Sequence, residues 1–395
     1  MSNEILHTSK YFDKIKSNID SGKLGLNIGI PIGLPTLNYF LGGLRKKKYI
    51  LLGSNTGVGK TAFVDYVYII YPIFWLFRNK DTKKKLKVIY YSFEIDIDSK
   101  LIKWASLLLF LDKGIIVDPD VIISAKRQKN NLNEVEIIPE EIEMQILSLK
   151  PYFDHLEETV DIIDTPMNPT GIRKRVLEHY MANGTLNEEK FSYKDNKTGE
   201  IVDRVKTTYI PNNTELTTLL VVDHYGLLKL ENVEGAGKNK KSSIDKLSEY
   251  VIELRNKYEL SAILISQFNR DISDVGRQRQ NKELRPQLED FKETSATADD
   301  ADIVLAPFNP NRYDITKYRN YDLTASFNSK ILRWLFILKN RGGKADVNIA
   351  LRLLGECGYF EELLSKPPET LSTNGMDEFY KDLGNFKIDI IKKYK

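Results

Sequence analysis

The stretch from Tyr49 to Phe63 is Tyr-Ile-Leu-Leu-Gly-Ser-Asn-Thr-Gly-Val-Gly-Lys-Thr-Ala-Phe. Its apolar start, 50–52, predicts a buried strand, and the glycine-rich segment that follows predicts a tight turn. From Lys60 onward, apolar residues recur at helical spacing through Ile70, which predicts a helix. The stretch therefore predicts a strand, a turn and a helix in direct succession.

A glycine-rich turn between a strand and a helix that opens with Lys60 and Thr61 is typical of a phosphate-binding loop. Glycine permits backbone conformations in which several N–H groups converge on phosphates at a helix N-terminus. We expect Lys60 to reach the outer phosphates and the Thr61 hydroxyl to ligate Mg²⁺. The strict pattern has glycine at position 54, where this chain has serine. The predicted nucleotide-binding residues are Ser54, Asn55, Thr56, Gly57, Val58, Gly59, Lys60, Thr61 and Ala62.

Composition restricts the class of protein. A chain of 395 residues can form one large α/β domain or two of ordinary size. The net charge of +3 is too small to indicate nucleic-acid binding, so any basic surface must be local. The single cysteine, Cys357, excludes an internal disulfide framework and a cysteine-based zinc site, and predicts a reduced, cytoplasmic setting. No signal-peptide pattern is present, and the longest apolar run, 66–77, is too short to span a bilayer, so we expect a soluble protein.

Predicted strands alternate with predicted helices along the chain, and this pattern is typical of an α/β fold with a mostly parallel central sheet flanked by helices. Helices are predicted at 98–110 and 170–181, and from Ser242, where Ser-x-x-Asp resembles a capping box. The predicted strands are 50–52, 88–93, 219–223, 262–265, 302–306, 332–339 and 347–353.

Several predicted strands end in residues that suit hydrolysis of a γ-phosphate, and ligands bind at the carboxyl ends of parallel strands. Asp223 suits the shell of a metal ion, Glu94 suits activation of water, and Gln267 can donate to the γ-phosphate. Lys339 or Arg341 can neutralise charge in the transition state. Each residue alone could be an ordinary polar side chain at a strand end. Together, beside a phosphate loop, they predict an ATPase that uses ATP and Mg²⁺.

Other segments are predicted with open alternatives. Residues 1–28 carry an amphipathic pattern that predicts a helix packed either on its own domain or on a neighbouring subunit. Residues 111–158 are expected to be helical and on the surface. Residues 183–215 carry a hairpin signal, and this insertion is either a binding site for a partner or neutral. Two polar, basic stretches, 229–241 and 270–290, are predicted to be loops.

The sequence also resembles the RecA-like motor domain of DnaB-type hexameric replicative helicases, over 29–364. Tyr-Tyr-Ser-Phe-Glu94 is similar to the strand with that family's catalytic glutamate, and Val-Val-Asp223-His-Tyr-Gly is similar to its Walker B strand. Ser266-Gln267-Phe-Asn-Arg270 begins its most specific signature. Lys339-Asn-Arg341-Gly-Gly resembles the segment with the lysine and arginine finger that reach a neighbour's nucleotide.

The resemblance implies a homo-hexameric ring with nucleotide at subunit interfaces and single-stranded DNA in the central channel. Loops after the Asp223 and Gln267 strands would hold the DNA, and they coincide with the two basic stretches. Their cations would grip phosphates independently of sequence, although solvated loops remain the alternative. The predicted DNA-binding residues are Lys238, Lys240, Lys241, Arg270, Arg277, Arg279 and Arg285.

We therefore expect an ATP-dependent DNA helicase that acts in replication, with 365–395 as a tail. We expect this chain to lack the family's N-terminal primase-binding domain, so a primase or a helicase loader is an open expectation as partner. Two alternatives remain: a RecA-like ATPase that binds DNA without unwinding it, such as a recombinase paralogue or loader, and an ATP-switched scaffold subunit.

Overall fold

The structure is a computed structural model that describes residues 4–194, 201–231, 239–269, 272, 284–291, 295–313, 315–319, 321–324 and 331–363. The expected tail, 365–395, and the predicted hairpin turn, 196–199, lie outside these residues.

The α-helices among the described residues are numbered in chain order: α1 Glu4–Lys23, α2 Pro35–Leu41, α3 Lys60–Val64, α4 Tyr71–Arg78, α5 Ile97–Lys113, α6 Pro119–Ile122, α7 Glu140–Leu147, α8 Lys150–Thr159, α9 Pro169–Ala182, α10 Lys240–Tyr258 and α11 Ser295–Asp300. A π-helical turn, Asp65–Ile70, joins α3 to α4. Short 3₁₀ helices are formed by Tyr225–Leu227, Leu288–Asp290 and Pro310–Tyr313.

The strands are β1 Tyr49–Ser54, β2 Lys85–Ser92, β3 Val160–Ile163, β4 Gly184–Lys194, β5 Ile201–Pro211, β6 Leu216–Asp223, β7 Ser261–Gln267, β8 Ile303–Phe308, β9 Lys317–Tyr318, β10 Tyr321–Asp322, β11 Leu332–Asn340, β12 Val347–Leu354 and β13 Tyr359–Glu362. Within the described chain, a central sheet has the order β13-β12-β11-β8-β1-β7-β6-β2-β3. From β8 to β3 neighbouring strands are parallel, and β11, β12 and β13 are added by antiparallel pairing. The predicted class, a mostly parallel sheet flanked by helices, is confirmed.

Both faces of the sheet are buried, and strand β1 shows how. Ile50 and Leu52 belong to a core that also contains residues of α3, α5 and α8. Tyr49 and Leu51 point to a second core with residues of α9 and α10. Because successive side chains of a strand alternate between faces, a strand that lies between two helical layers must be apolar throughout. This explains the continuous apolar runs on which the strand predictions rest.

Two helix predictions were wrong in detail. Helix α10 begins at Lys240 rather than at Ser242, because its cap is Asn239, whose side chain accepts the N–H of Ser242. Lys240 and Lys241 therefore lie in a first helical turn and not in a loop. Residues 123–139 are not helical, since this polar, asparagine-containing stretch lacks the apolar spacing that packs a helix.

The placement of β11 corrects another expectation. Strand β11 is antiparallel to β8, with Phe308 opposite Trp334 and Ile303 opposite Asn340. Because β8 is parallel to β1, the carboxyl end of β11 lies at the opposite edge of the sheet from the carboxyl end of β1. Lys339 and Arg341 therefore do not share an edge with the phosphate loop of their own subunit.

Two of the described segments lie outside the central sheet and its flanking helices. Helix α1 has apolar side chains at helical spacing that are more than half exposed, so this face does not pack on the described residues of its own domain: Tyr11, Phe12, Ile15 and Ile19. Strands β4 and β5 pair with each other along their length and form a separate two-stranded sheet within 183–215.

Candidate active site

The phosphate loop connects β1 to α3 and is shaped by glycine at two positions. Gly57 has φ 75° and Gly59 has φ 100°, values in the left-handed region that favours glycine. Ser54 is instead the last, fully buried residue of β1, and its hydroxyl donates to the Asn55 carbonyl at 3.1 Å. Since position 54 is an ordinary strand residue, serine in place of glycine leaves the loop geometry unchanged. Gly53 is the constrained residue, because a Cβ there would lie 2.4 Å from the Phe291 ring.

Lys60 is held inside the loop. Its ammonium donates to the carbonyls of Ser54 and Asn55, both at 3.2 Å. Burial lowers the pKa of Lys60, and the carboxylates of Asp223 and Glu94 act in the opposite direction. The Lys60 ammonium thus lies at the loop, near both carboxylates, and a cation in this place can bind a phosphate.

Thr61 and Asp223 meet beneath the loop, where the Thr61 hydroxyl donates to Asp223 Oδ2 at 2.7 Å. The other oxygen, Oδ1, is buried and has no hydrogen-bond partner among the described residues. A hydroxyl and a buried carboxylate oxygen with a vacant acceptor position are hard oxygen ligands of the kind that Mg²⁺ prefers. The residues present therefore fit a divalent cation held by Thr61 and Asp223.

Burial raises the pKa of Asp223 to about 6, although Lys100 and the hydrogen bond from Thr61 oppose the shift. The folded protein thus binds the carboxyl proton of Asp223 more tightly than the unfolded chain does. The free energy of unfolding therefore falls as pH rises from the ordinary pKa of an aspartate to about 6. We expect Asp223→Asn to raise the free energy of unfolding of the nucleotide-free protein at pH 8 by up to about 3 kcal/mol. Urea titrations at pH 5.5 and pH 8 should show a smaller gain at the lower pH. A less stable variant at pH 8 would contradict this prediction.

Glu94 and Gln267 lie around the same cavity of about 300 Å³, which is also lined by Lys60, Thr61 and the turn between β12 and β13. Glu94 is exposed, two residues beyond β2. Gln267 ends β7 beside Ser54 of β1, and its amide nitrogen is 3.4 Å from His224 Nε2. The carboxyl ends of β1, β2, β6 and β7 thus bring together the predicted residues that act on a bound nucleotide within one subunit.

Two arginines that are not among the predicted site residues support the phosphate loop. The guanidinium of Arg312 donates to the Thr56 carbonyl, and Arg333 Nε donates to the Val58 carbonyl at 3.2 Å. Arg333 is buried in β11, and burial, with Arg312 nearby, lowers its pKa to about 10. Arg333 could have been found from the sequence, because it is a cation inside the otherwise apolar start of β11, and a buried charge requires hydrogen-bond partners.

Lys339 and Arg341 contact the end of α11. Lys339 Nζ donates to the carbonyls of Ala298 and Asp299 at 2.9 and 2.7 Å. Arg341 also donates to the Asp299 carbonyl, and its guanidinium lies 3.6 Å from the Asp302 carboxylate. Half of the Arg341 side chain remains exposed. Both cations lie at the edge of the sheet opposite the subunit's own phosphate loop, and Arg341 is the more exposed of the two.

The predicted DNA-binding residues are described only in part. Lys240 donates to the Leu228 carbonyl, Lys241 is exposed, and Arg285 is exposed with its guanidinium 3.9 Å from the Asp346 carboxylate. The remaining predicted positions lie outside the described residues: Lys238, Arg270, Arg277 and Arg279. Within the described part of the chain, no helix has the length and apolar character needed to cross a membrane.

Comparison with known proteins adds the following findings. Residues 125–362 match the family described as DnaB-like helicase C terminal domain. One solved structure, described as an ATPase domain, is similar, with 17% identity and a TM-score of 0.61, over 90% of this chain and 98% of that chain. A DnaB-like replicative helicase, from a structure that also concerns its interactions with primase, has 16% identity and a TM-score of 0.60, over 90% of this chain and 66% of that chain. Curated protein sequences give no match.

At these identities the structural likeness bears on the fold alone, and it confirms the predicted fold class. The family match begins at residue 125, after the phosphate loop. The assignment of the loop residues therefore rests on their sequence pattern and geometry.

Proposed function

Because this chain belongs to the DnaB-like helicase C terminal domain family and is an ATP-dependent replicative helicase, we propose that it translocates along single-stranded DNA as a ring of identical subunits. Hydrolysis of ATP with Mg²⁺ drives the movement, and each nucleotide lies at the interface between two subunits.

The observation that carries this proposal is the separation of two halves of one hydrolytic site. The phosphate loop, Asp223, Glu94 and Gln267 lie at one edge of the sheet, whereas the exposed Arg341 lies at the other. Arg333 of β11 supports the phosphate loop of its own subunit, but Arg341, just beyond the end of β11, lies at the far edge and therefore does not reach the nucleotide of its own subunit. Copies arranged head to tail bring the two edges together, and a closed series of such contacts is a ring.

Within one interface, the roles follow from position and chemistry. Thr61 and Asp223 hold Mg²⁺, which, when bound, neutralises charge on the phosphates. Lys60 binds the outer phosphates through its ammonium. Glu94 orients the attacking water and accepts its proton, and Gln267 donates to the γ-phosphate. Lys339 and Arg341 of the adjacent subunit stabilise the charge that develops in the transition state.

The contact with DNA is proposed at the same edge as the phosphate loop, where α10 begins. Lys240 and Lys241 lie in the first turn of this helix, where the helix dipole already presents positive charge. The ammonium groups are repelled by the partial positive charge at the helix N-terminus, and a bound phosphate of the DNA backbone would compensate both. Lys241 is the better candidate of the two, because it is exposed whereas the ammonium of Lys240 is bound to Leu228. Lys238, Arg270, Arg277, Arg279 and Arg285 remain predicted contacts.

Lys241→Ala is expected to weaken binding of single-stranded DNA and to reduce the slope of log affinity against log salt by about 0.7 for each lost contact. The matched control is Lys257→Ala, which removes an equally exposed lysine from the last turn of the same helix. Fluorescence anisotropy over a salt series measures both slopes. Equal effects of the two substitutions would contradict a phosphate contact at Lys241.

Other proposed partners follow from the rest of the chain. The exposed apolar face of α1 supports docking on a neighbouring subunit, because such a face is costly to leave in water. Binding of a primase or a helicase loader, and the cytoplasmic location, remain predictions.

The deciding experiment measures ATP turnover with and without single-stranded DNA, together with unwinding of a forked duplex. DNA-stimulated turnover with unwinding supports the proposal. Stimulated turnover without unwinding would favour a DNA-binding ATPase, such as a recombinase paralogue or loader. Tight ATP binding without turnover would favour the ATP-switched scaffold. Lys60→Ala serves as the control for contaminating ATPase activity.

A further inference from the structure

A buried ion pair lies directly behind the proposed metal site. Lys100, on α5, is fully buried, and its ammonium lies 3.2 and 3.3 Å from the two carboxylate oxygens of Asp65. Asp65 is the first residue of the π-helical turn after the phosphate loop, one helical turn beyond Thr61. A π turn inside an α-helix frequently marks a functional position.

Tyr90 joins this ion pair to Asp223. Its hydroxyl donates to Asp65 Oδ1 at 2.7 Å, receives a hydrogen bond from Lys100 at 2.9 Å and lies 3.4 Å from Asp223 Oδ2. The Lys100 ammonium also makes a cation–π contact with the Tyr90 ring, 4.2 Å from its centroid. The three residues come from three elements, α5, β2 and the phosphate-loop helix, so together they fix how those elements sit around Asp223.

Electrostatics gives this cluster a specific task. Asp65 and Asp223 are two buried carboxylates that both lie near the Tyr90 hydroxyl, so their like charges repel each other unless a nearby cation compensates them. Lys100 supplies that cation. Replacing a buried ion pair by apolar side chains of similar volume often costs no stability, so a buried pair of charges is weak evidence for a purely stabilising role.

Lys100 does not itself reach the nucleotide, because it is absent from the lining of the cavity that Asp65, Glu94 and Thr61 share. It must therefore act through its neighbours. Its helix also begins three residues after Glu94, so a shift of Lys100 would be transmitted to the segment that carries the proposed base.

We propose that Lys100, with Tyr90 and Asp65, is a positioning residue that holds the Asp223 carboxylate and the phosphate-loop helix in the arrangement that binds the divalent cation. This inference rests on the proposed role of Thr61 and Asp223 as cation ligands. It assigns a task to an ion pair that takes no direct part in the hydrolytic steps described above.

The test measures the Mg²⁺ concentration that half-saturates binding of a non-hydrolysable ATP analogue, and the affinity of the same analogue in EDTA. Lys100→Met is expected to raise the Mg²⁺ requirement by about 10–100-fold, as is usual for residues that support metal ligands, with little change in EDTA. Tyr90→Phe, which removes only the hydroxyl, should give a smaller change in the same direction. Lys113→Met is the matched control, since it removes an exposed lysine from the last turn of the same helix.

Lys100→Met leaves Asp65 buried without its cation and can therefore destabilise the fold. The double variant Asp65→Asn/Lys100→Met leaves no uncompensated charge from the pair and is expected to recover the thermal midpoint. It should not recover the wild-type Mg²⁺ requirement, because the hydrogen bonds from Lys100 that hold Asp65 and Tyr90 beside Asp223 remain absent. A merely structural ion pair predicts that both return together. A folded double variant with a wild-type Mg²⁺ requirement, or equal losses of affinity with and without Mg²⁺ in the single variants, would overturn the inference. Binding by the wild type that is indifferent to Mg²⁺ would instead contradict the proposed function itself, and with it this inference.

Discussion

Arg341→Ala is expected to lower kcat for ATP hydrolysis by about 10³–10⁵-fold, the range observed when an arginine finger is absent. Binding of ATP should change little, because the phosphate loop of the same subunit is unaltered. The reason lies in the direction of β11, which carries Arg341 to the edge of the sheet opposite its own phosphate loop. The lost charge would therefore belong to the neighbour's transition state.

Mixed rings separate a role in the neighbouring site from a role within the same subunit. Arg341→Ala subunits retain the phosphate loop, and Lys60→Ala subunits retain Arg341. Each variant alone should be nearly inactive, but a mixture should regain turnover wherever an intact loop faces an intact arginine. Turnover is measured as a function of mixing ratio, and failure of an assembled mixture to regain activity would argue against a trans role.

Lys344→Ala is the matched control for these rings. Lys344 is an exposed cation in the same turn between β11 and β12. Its removal is expected to leave kcat within about threefold of wild type, since an isolated surface charge contributes little. Thermal unfolding of Arg341→Ala must also be compared with wild type, because the guanidinium contacts Asp299 and Asp302 in its own subunit.

Glu94→Gln should lower kcat by about 10²–10⁴-fold, the usual contribution of a general base. The substitution keeps the shape of the side chain and removes its ability to accept a proton. Affinity for ATP with Mg²⁺ should be retained, because Glu94 lines the cavity but is not among the residues fitted to the cation or to the phosphates. Single-turnover hydrolysis and equilibrium binding measure the two effects separately.

The matched control for Glu94→Gln is Asp98→Asn, which removes an equal and exposed charge four residues further along. Its turnover should remain close to wild type. Stimulation by single-stranded DNA should disappear in Glu94→Gln while DNA binding persists. A Glu94→Gln variant with nearly normal turnover would show that another group activates the water.

The hydrolytic site illustrates how far sequence reasoning reached. The phosphate loop could be predicted because its glycines, lysine and threonine are consecutive, and the strand and helix beside it have local periodicity. Glu94, Asp223 and Gln267 could be proposed because each follows an apolar strand, and the carboxyl ends of parallel strands meet at one edge. Their roles stay predictions, but the structure places all three beside the loop.

The same rule misplaced Lys339 and Arg341, because it assumes that the strand is parallel. A strand that is buried on both faces is a continuous apolar run whether it is parallel or antiparallel to its neighbour, so the run does not reveal its direction. The direction of β11 depends on the return path of the chain from β8, which no local pattern records. The predicted cap of α10, Ser242, lies three residues after the observed cap, Asn239, because both residue types suit a cap and only the observed hydrogen bond distinguishes them.

By itself, then, the sequence determined the features that are formed by residues close together in the chain: the buried strands, the glycine-shaped loop and the residues at strand ends. Their physics acts over a few residues, through side-chain periodicity and backbone conformation. Only the tertiary structure decided which side chains that are distant in sequence form ion pairs or hydrogen bonds with one another. Lys100 meets Asp65 across 35 residues and Arg333 supports Val58 across 275. Such pairings depend on how the whole chain packs, because a buried ion finds its partners in space rather than along the sequence.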